Sequence, residues 1–161
     1  MAIKIFNNNF IKNAFKVTIA VVISEMAGVI GSIFTTPSIT RWYAGLVRPE
    51  LSPPNWIFAP VWTTLFLLMG VAAGIVWIKK DYRGLAIFGF QLILNIAWSV
   101  IFFGMHSPGW AFVEIIFLWL AILVTIIVFA KTSRVAAWLL VPYIIWVTFA
   151  SYLNFMIWSL N

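Results

Sequence analysis

The sequence predicts an all-α polytopic membrane protein, a bundle of five transmembrane helices, and three observations carry that prediction. Of its 161 residues, 64% are hydrophobic and 9% are charged, whereas a soluble domain carries roughly 25% charged residues, so the polar surface is too small to cover a globule in water. The charges are gathered between long apolar runs. One span uses about 20 apolar residues to cross roughly 30 Å of hydrocarbon, so five spans take about 100 residues and leave about 60 for a tail and loops. Disorder, collagen and coiled coil are excluded, since each needs charge, a glycine period or heptads that this composition lacks. A single membrane domain over 1–161 is expected.

The first span is expected over about 17–34, where Glu25 is the only charge and Thr35, Thr36 and Pro37 end the run. The length of the run, Glu25 and the lack of an A-x-A-like cleavage site point to a retained helix rather than a cleaved signal. Residues 3–16 mix Ile and Phe with Lys and Asn and are expected to be a solvated tail, with contact to an anionic leaflet as the alternative. A long loop over 35–58 follows. Residues 51–78 carry no charge, and Pro53, Pro54 and Pro60 confine the second span to 59–78, with Pro60 in its first turn, where a missing N–H costs nothing. The stretch 84–130 has Glu114 as its only acid and is too long for one crossing. Gly104 to Gly109, with Ser107 and Pro108, supplies a turn, giving spans over 84–104 and 110–130. The fifth span, 134–157, contains Pro142, expected as a kink.

Eight of the ten basic residues fall on one side: Lys4, Lys12 and Lys16, then Lys79, Lys80 and Arg83, then Lys131 and Arg134. Only Arg41 and Arg48 fall on the other. The positive-inside rule then makes the N-terminus cytoplasmic, and the cell membrane is the expected location. The net charge of +6 is dispersed in short clusters rather than in one stripe, so no nucleic-acid partner is expected.

There is no cysteine, and His106 is the only histidine. Thiolate metal sites, iron–sulfur clusters, disulfides and a multi-histidine centre within one chain are therefore excluded, and no metal is expected. His106 reads as an interfacial histidine, with haem-iron ligation as the alternative. No phosphate-binding glycine loop, H-E-x-x-H, G-x-S-x-G or carboxylate pair is present, which leaves hydrolytic and nucleotide chemistry without support. Glu25 and Glu114 are acids inside spans and therefore functional candidates. Each is alone in its span, and neutral or hydrogen-bonded roles compete. Gly70-x-x-x-Gly74 is a close-packing motif, read as packing within the bundle.

Ten tryptophans need an account, and two of them, Trp42 and Trp56, lie in the long loop. Trp77, Trp110, Trp138 and Trp158 fall at span ends, where indoles anchor in the headgroup layer. Trp62, Trp98, Trp119 and Trp146 fall inside spans, where lipid-facing packing competes with a functional role. At 1.5 Å per residue, Trp62 lies roughly 5 Å, Asn95 roughly 14 Å and Trp146 roughly 16 Å below the same outer surface that the long loop covers. Loops of that length are usually lids or binding elements. Asn95, an amide in hydrocarbon, must find a partner, in a ligand or on a neighbouring helix. Helical stripes run through Trp62, Phe66, Met69 and Ala73, and through Pro142, Trp146, Phe149, Ala150 and Asn154. Such walls suit a large planar apolar ligand with few polar handles.

Arg41-Trp-Tyr-Ala-Gly-Leu-Val-Arg-Pro49, Pro53-Pro-Asn-Trp56, Pro60-Val-Trp62 and Met69-Gly70 together resemble the first loop and second helix of the TspO/MBR family, the tryptophan-rich sensory and translocator proteins. The run Gln91 to Trp98, then Phe102-Phe-Gly104, Gly109-Trp110, Pro142-Tyr143, Trp146 and Leu153-Asn154, looks like that family's later helices in order. The match covers about 38–158.

The resemblance implies a five-helix membrane receptor, commonly a homodimer, that binds porphyrins and similar hydrophobic ligands beneath the first loop. It needs no cofactor; protoporphyrin IX or a haem-like tetrapyrrole would be the ligand, with membrane lipid around it. Carried over by position, Trp62 and Trp146 face the ligand, Asn95 is the deep polar contact, and Tyr43, Pro53, Phe66, Trp98 and Ala150 complete the wall. The resemblance also admits light-dependent degradation of protoporphyrin, with Trp62 and Trp146 as the catalytic pair, and tetrapyrrole transport. The chain shows no internal repeat of the kind many carriers use. Where the family often has Pro-Ser-Trp, this chain has Pro49-Glu50-Leu51, which is expected to disfavour propionate groups there. The animal C-terminal sterol pattern, a Tyr followed by Lys or Arg, is absent from 154–161.

Overall fold

The structure, a computed structural model, describes residues 2–161, with side chains from residue 9 onward. Six α-helices make five membrane-length segments: α1 (Ala2–Ile39), α2 (Phe58–Ile78), α3 (Tyr82–Ser99), α4 (Pro108–Thr132), and α5 (Arg134–Leu139) followed by α6 (Val141–Leu160). Five helical segments are long and apolar enough to cross a bilayer, and no strand occurs among the described residues. The protein is an integral membrane protein with a five-helix bundle.

The helices depart from expectation at three points. Helix α1 already begins at Ala2 and runs past Pro37 to Ile39, so the expected tail at 3–16 is helical; no glycine or proline interrupts it there. Pro37 withholds a hydrogen bond only in the last turn, where the loss is small. Ser38 then pins the helix end by donating its hydroxyl proton to the Phe103 carbonyl at 2.8 Å. The connection to α2 is accordingly shorter than 35–58 and contains two 3-10 turns, Tyr43–Gly45 and Asn55–Ile57.

Pro142 does not kink a continuous helix. The fifth segment stops at Leu140 (φ −91, ψ −9), and Pro142 stands in the first turn of α6, where its ring needs no donor. This break lets α5 lie against α2 while α6 leans towards α4, so that α2 and α6 meet only sparsely. A gap opens between them in the half of the bundle nearest the α1–α2 loop, which is its outer half in that sense alone. The third difference is one of helix type: the third span ends at Gly104 as expected, but its last stretch, Val100–Gly104, is a π-helical continuation of α3. It closes with Met105 N donating to Val100 O at 2.8 Å, and His106 takes a left-handed φ of 52°.

In the other half the helices close up. A Cβ on Gly70 would stand 2.4 Å from the Val21 Cα, and one on Gly74 would stand 2.7 Å from the Val17 Cα. The Gly70-x-x-x-Gly74 stripe is therefore the seam between α2 and α1, where only hydrogen atoms fit between the backbones. Met69, Ala72 and Val76 beside it are fully buried. The turn before α3 is held by Asp81, which accepts from Gly84 N at 2.8 Å as the helix cap.

Candidate ligand-binding cavity

The gap between the outer halves of α2 and α6 is a cavity of about 230 Å³, walled by α1, α2, α3, the π segment and α6, and roofed by Tyr43 and Asn55 of the loop. No residue of α4 lines it. Of the residues singled out from the sequence, Tyr43, Trp62, Phe66, Asn95, Trp98, Trp146 and Ala150 all stand in its wall. Pro53 does not; from that stretch of loop Asn55 takes the place in the roof.

Each indole is set by a neighbour. Trp62 packs its ring edge-on to Tyr143 at 6.2 Å between centroids, and Trp146 meets Phe58 edge-on at 6.0 Å. Trp98 donates its indole N–H to Asn154 Oδ1 at 2.9 Å, and the Asn154 amide donates to the Pro108 carbonyl at 2.7 Å. The Trp98 ring then stacks on Phe102 at 5.1 Å. The Asn95 amide donates to the Tyr143 hydroxyl at 2.9 Å, so the two readings of Asn95 coexist: it is bonded to a neighbouring helix and it lines the cavity. Trp146 is different, because its indole Nε1 is buried and has no hydrogen-bond partner among the described residues. An unmet N–H in a hydrocarbon interior costs roughly 1–3 kcal/mol, a cost that an acceptor on a guest would remove.

Sequence reading missed the walls made by absence and by irregular backbone. Gly28 and Gly31 of α1 line the cavity, and a Cβ on Gly28 would stand 2.5 Å from the Phe66 ring. Phe102 and Phe103 reach the cavity from the π segment, whose shifted register no apolar periodicity foretells.

The roof is tied down at both ends. Arg48 bonds Asn55 Oδ1 at 3.2 Å and lies 5.6 Å from the Tyr43 ring centroid, joining the two 3-10 turns. Burial raises the Tyr43 phenol above its usual pKa, against the opposing charge of Arg48. At the far side, Asn161 clamps Val47 from both directions: Val47 N donates to Asn161 Oδ1, and Asn161 Nδ2 donates to Val47 O, each at 3.0 Å. Glu50 is exposed and lies outside the cavity wall.

The remaining candidates lie elsewhere. His106 stacks on Trp42 at 4.5 Å and faces Ser38 Oγ at 3.4 Å, on an outer groove of about 720 Å³ that contains none of Trp62, Asn95 or Trp146. Glu25 is half-buried on α1, outside the cavity wall. Glu114 is buried on α4, and neither carboxylate oxygen has a hydrogen-bond partner among the described residues. Trp119 donates to Thr148 Oγ1 at 2.8 Å, an ordinary bond between α4 and α6. No group of three or more His, Cys, Asp or Glu side chains able to hold a metal occurs among the described residues.

Five membrane-length helices around an aromatic cavity beneath a roofing loop define a class: polytopic membrane proteins with an intramembrane cavity. Within that class the chain belongs to the TspO/MBR family, whose model matches residues 20–159. It is 48% identical over 139 residues to the tryptophan-rich protein TspO of Chlorobaculum tepidum, covering 83% of this chain and 88% of that protein. It is 41% identical over 152 residues to the tryptophan-rich protein TspO of Archaeoglobus fulgidus, covering 92% and 99%. The human translocator protein is 38% identical over 138 residues, covering 82% of each chain.

Proposed function

We propose that the protein is a membrane receptor that holds a tetrapyrrole or similar flat hydrophobic molecule in the cavity beneath its first loop. The observation that carries the reading is the pairing of Trp62 and Trp146 in one wall system with a buried, unpartnered indole N–H on Trp146. Ring faces supply stacking area, while the indole N–H and Asn95 supply the few polar contacts that orient a guest. At about 230 Å³ the cavity is below the roughly 300–1,000 Å³ of sites for drug-sized ligands. A whole tetrapyrrole therefore enters with the loop lifted, and Arg48 moves with that loop.

Quenching of tryptophan fluorescence by added protoporphyrin IX tests the proposal. The Trp62→Phe/Trp146→Phe double variant and Asn95→Leu are each expected to weaken binding about tenfold, the loss of one or two contacts of roughly 1 kcal/mol. Binding unchanged in both overturns the site. The two cavity indoles also favour a second reading, light-driven breakdown of a bound porphyrin in which molecular oxygen is the oxidant. Illuminated bleaching no faster with the native chain than with the double Phe variant rejects it.

A further inference from the structure

We propose that the basic end of the bundle is a binding site for the phosphate-bearing headgroup of an anionic phospholipid. The α2–α3 turn and the α4–α5 turn are joined there into one surface. Lys79 Nζ donates to the Thr132 carbonyl at 2.8 Å, and the Thr132 hydroxyl donates to Asp81 Oδ2 at 2.5 Å. Asp81 is the only acid in either turn, and both of its oxygens are committed, the second to Gly84 N. Those bonds hold its carboxyl below the usual carboxylate range, the Thr132 bond first and Gly84 second, with the charge of Arg83 adding to them, so it stays charged with both oxygens engaged inside the joined turns and offsets at most part of one neighbouring cation.

What faces outward is cationic. Lys80, Arg83, Lys131 and Arg134 are all exposed, and none takes part in the bonds that join the turns. Lys80 has a φ of 61° at the end of α2, a helix-terminating position where glycine is the usual residue. Tyr82, 65% exposed, and Trp138, 71% exposed, stand beside the cluster at the ends of membrane-length segments, the level at which aromatic rings sit among headgroups. Four cations with no free acid between them attract phosphate. Their position next to the exposed rings of Tyr82 and Trp138, at the ends of membrane-length segments, favours a phosphate that carries acyl chains. Scattered basic residues attract an anionic leaflet as a diffuse surface; a cluster joined across two turns is expected in addition to keep an individual anionic lipid through detergent extraction.

The test uses the full chain purified in detergent and offered phosphatidylglycerol and phosphatidylcholine together, with bound lipid read by native mass spectrometry. Phosphatidylglycerol is expected to be retained about tenfold over phosphatidylcholine. The preference is expected to vanish in Lys80→Gln/Arg83→Gln/Lys131→Gln/Arg134→Gln, and in the native chain at about 1 M salt, where the Debye length falls to about 3 Å. The salt arm needs no variant and so is immune to a folding defect. Equal retention of the two lipids by the native chain overturns the proposal, as does an unchanged preference in the variant. Displacement of the lipid by millimolar inorganic phosphate overturns it in favour of a free-phosphate site.

Discussion

Along α2 the outer and inner halves of the bundle are built from different materials. The outer half presents Trp62 and Phe66 to a cavity, while the inner half presents Gly70, Ala72, Ala73 and Gly74 to its neighbours, all buried. Bulky rings hold helices apart and leave space between their flat faces; small residues let backbones meet and leave none. The fifth segment repeats the contrast across its break, with α5 packed on α2 and α6 leaning away. The comparison teaches that the inner half acts as a rigid base that fixes where the outer walls stand. On the proposed function, a guest would then enter the chamber without loosening the fold.

The largest effect should come from attacking the base. Gly70→Leu drives a side chain into the α1 backbone, where a Cβ alone would stand 2.4 Å from the Val21 Cα. We expect a destabilisation of about 3 kcal/mol or more, read as a lowered thermal midpoint and poor recovery from detergent. A well-folded Gly70→Leu protein would break the distinction between base and chamber. Tyr143→Phe acts where the two meet, removing the hydroxyl that receives the Asn95 amide. It should cost about 1 kcal/mol of stability and weaken porphyrin binding severalfold, because the freed amide loses its fixed orientation.

The roof offers a finer test. Asn161→Ala deletes both bonds to Val47 and should leave global stability within about 1 kcal/mol, yet speed amide exchange at 46–48 and both association and dissociation of ligand. Exchange unchanged at Val47 would show that Asn161 does not hold the lid. The smallest effect is expected at the α2–α3 turn. The folded pKa of Asp81 lies below its unfolded value, chiefly through the Thr132 bond and then the Gly84 bond. Its contribution is therefore complete above the unfolded value of about 4 and is lost as pH falls through the lower folded value. Asp81→Asn should flatten that acid limb of the thermal midpoint against pH and change little near neutrality.

Much of this was legible because a bilayer constrains a chain so strongly. Apolar run length gave five spans, and helical periodicity placed Trp62 with Phe66 and Trp146 with Ala150 on single faces, as found in the cavity wall. Pro37 and Pro142 were harder to read. Whether a proline ends, bends or merely begins a helix depends on what replaces its missing hydrogen bond, and Ser38 with Phe103 O and the break at Leu140 are tertiary answers. Pro53 and Asn55 are two positions apart in a loop without period, so nothing local says which of them faces inward.

Composition and periodicity by themselves determined the solvent, the number of crossings and the faces that had to meet, because burying a backbone in hydrocarbon allows few solutions. Tertiary structure alone decided that α6 would part from α2, that a π segment would turn Phe102 and Phe103 inward, and that the Trp146 N–H would be left without a partner. Those outcomes depend on how whole helices share space, and a helix has no knowledge of its neighbours' shapes until it packs against them.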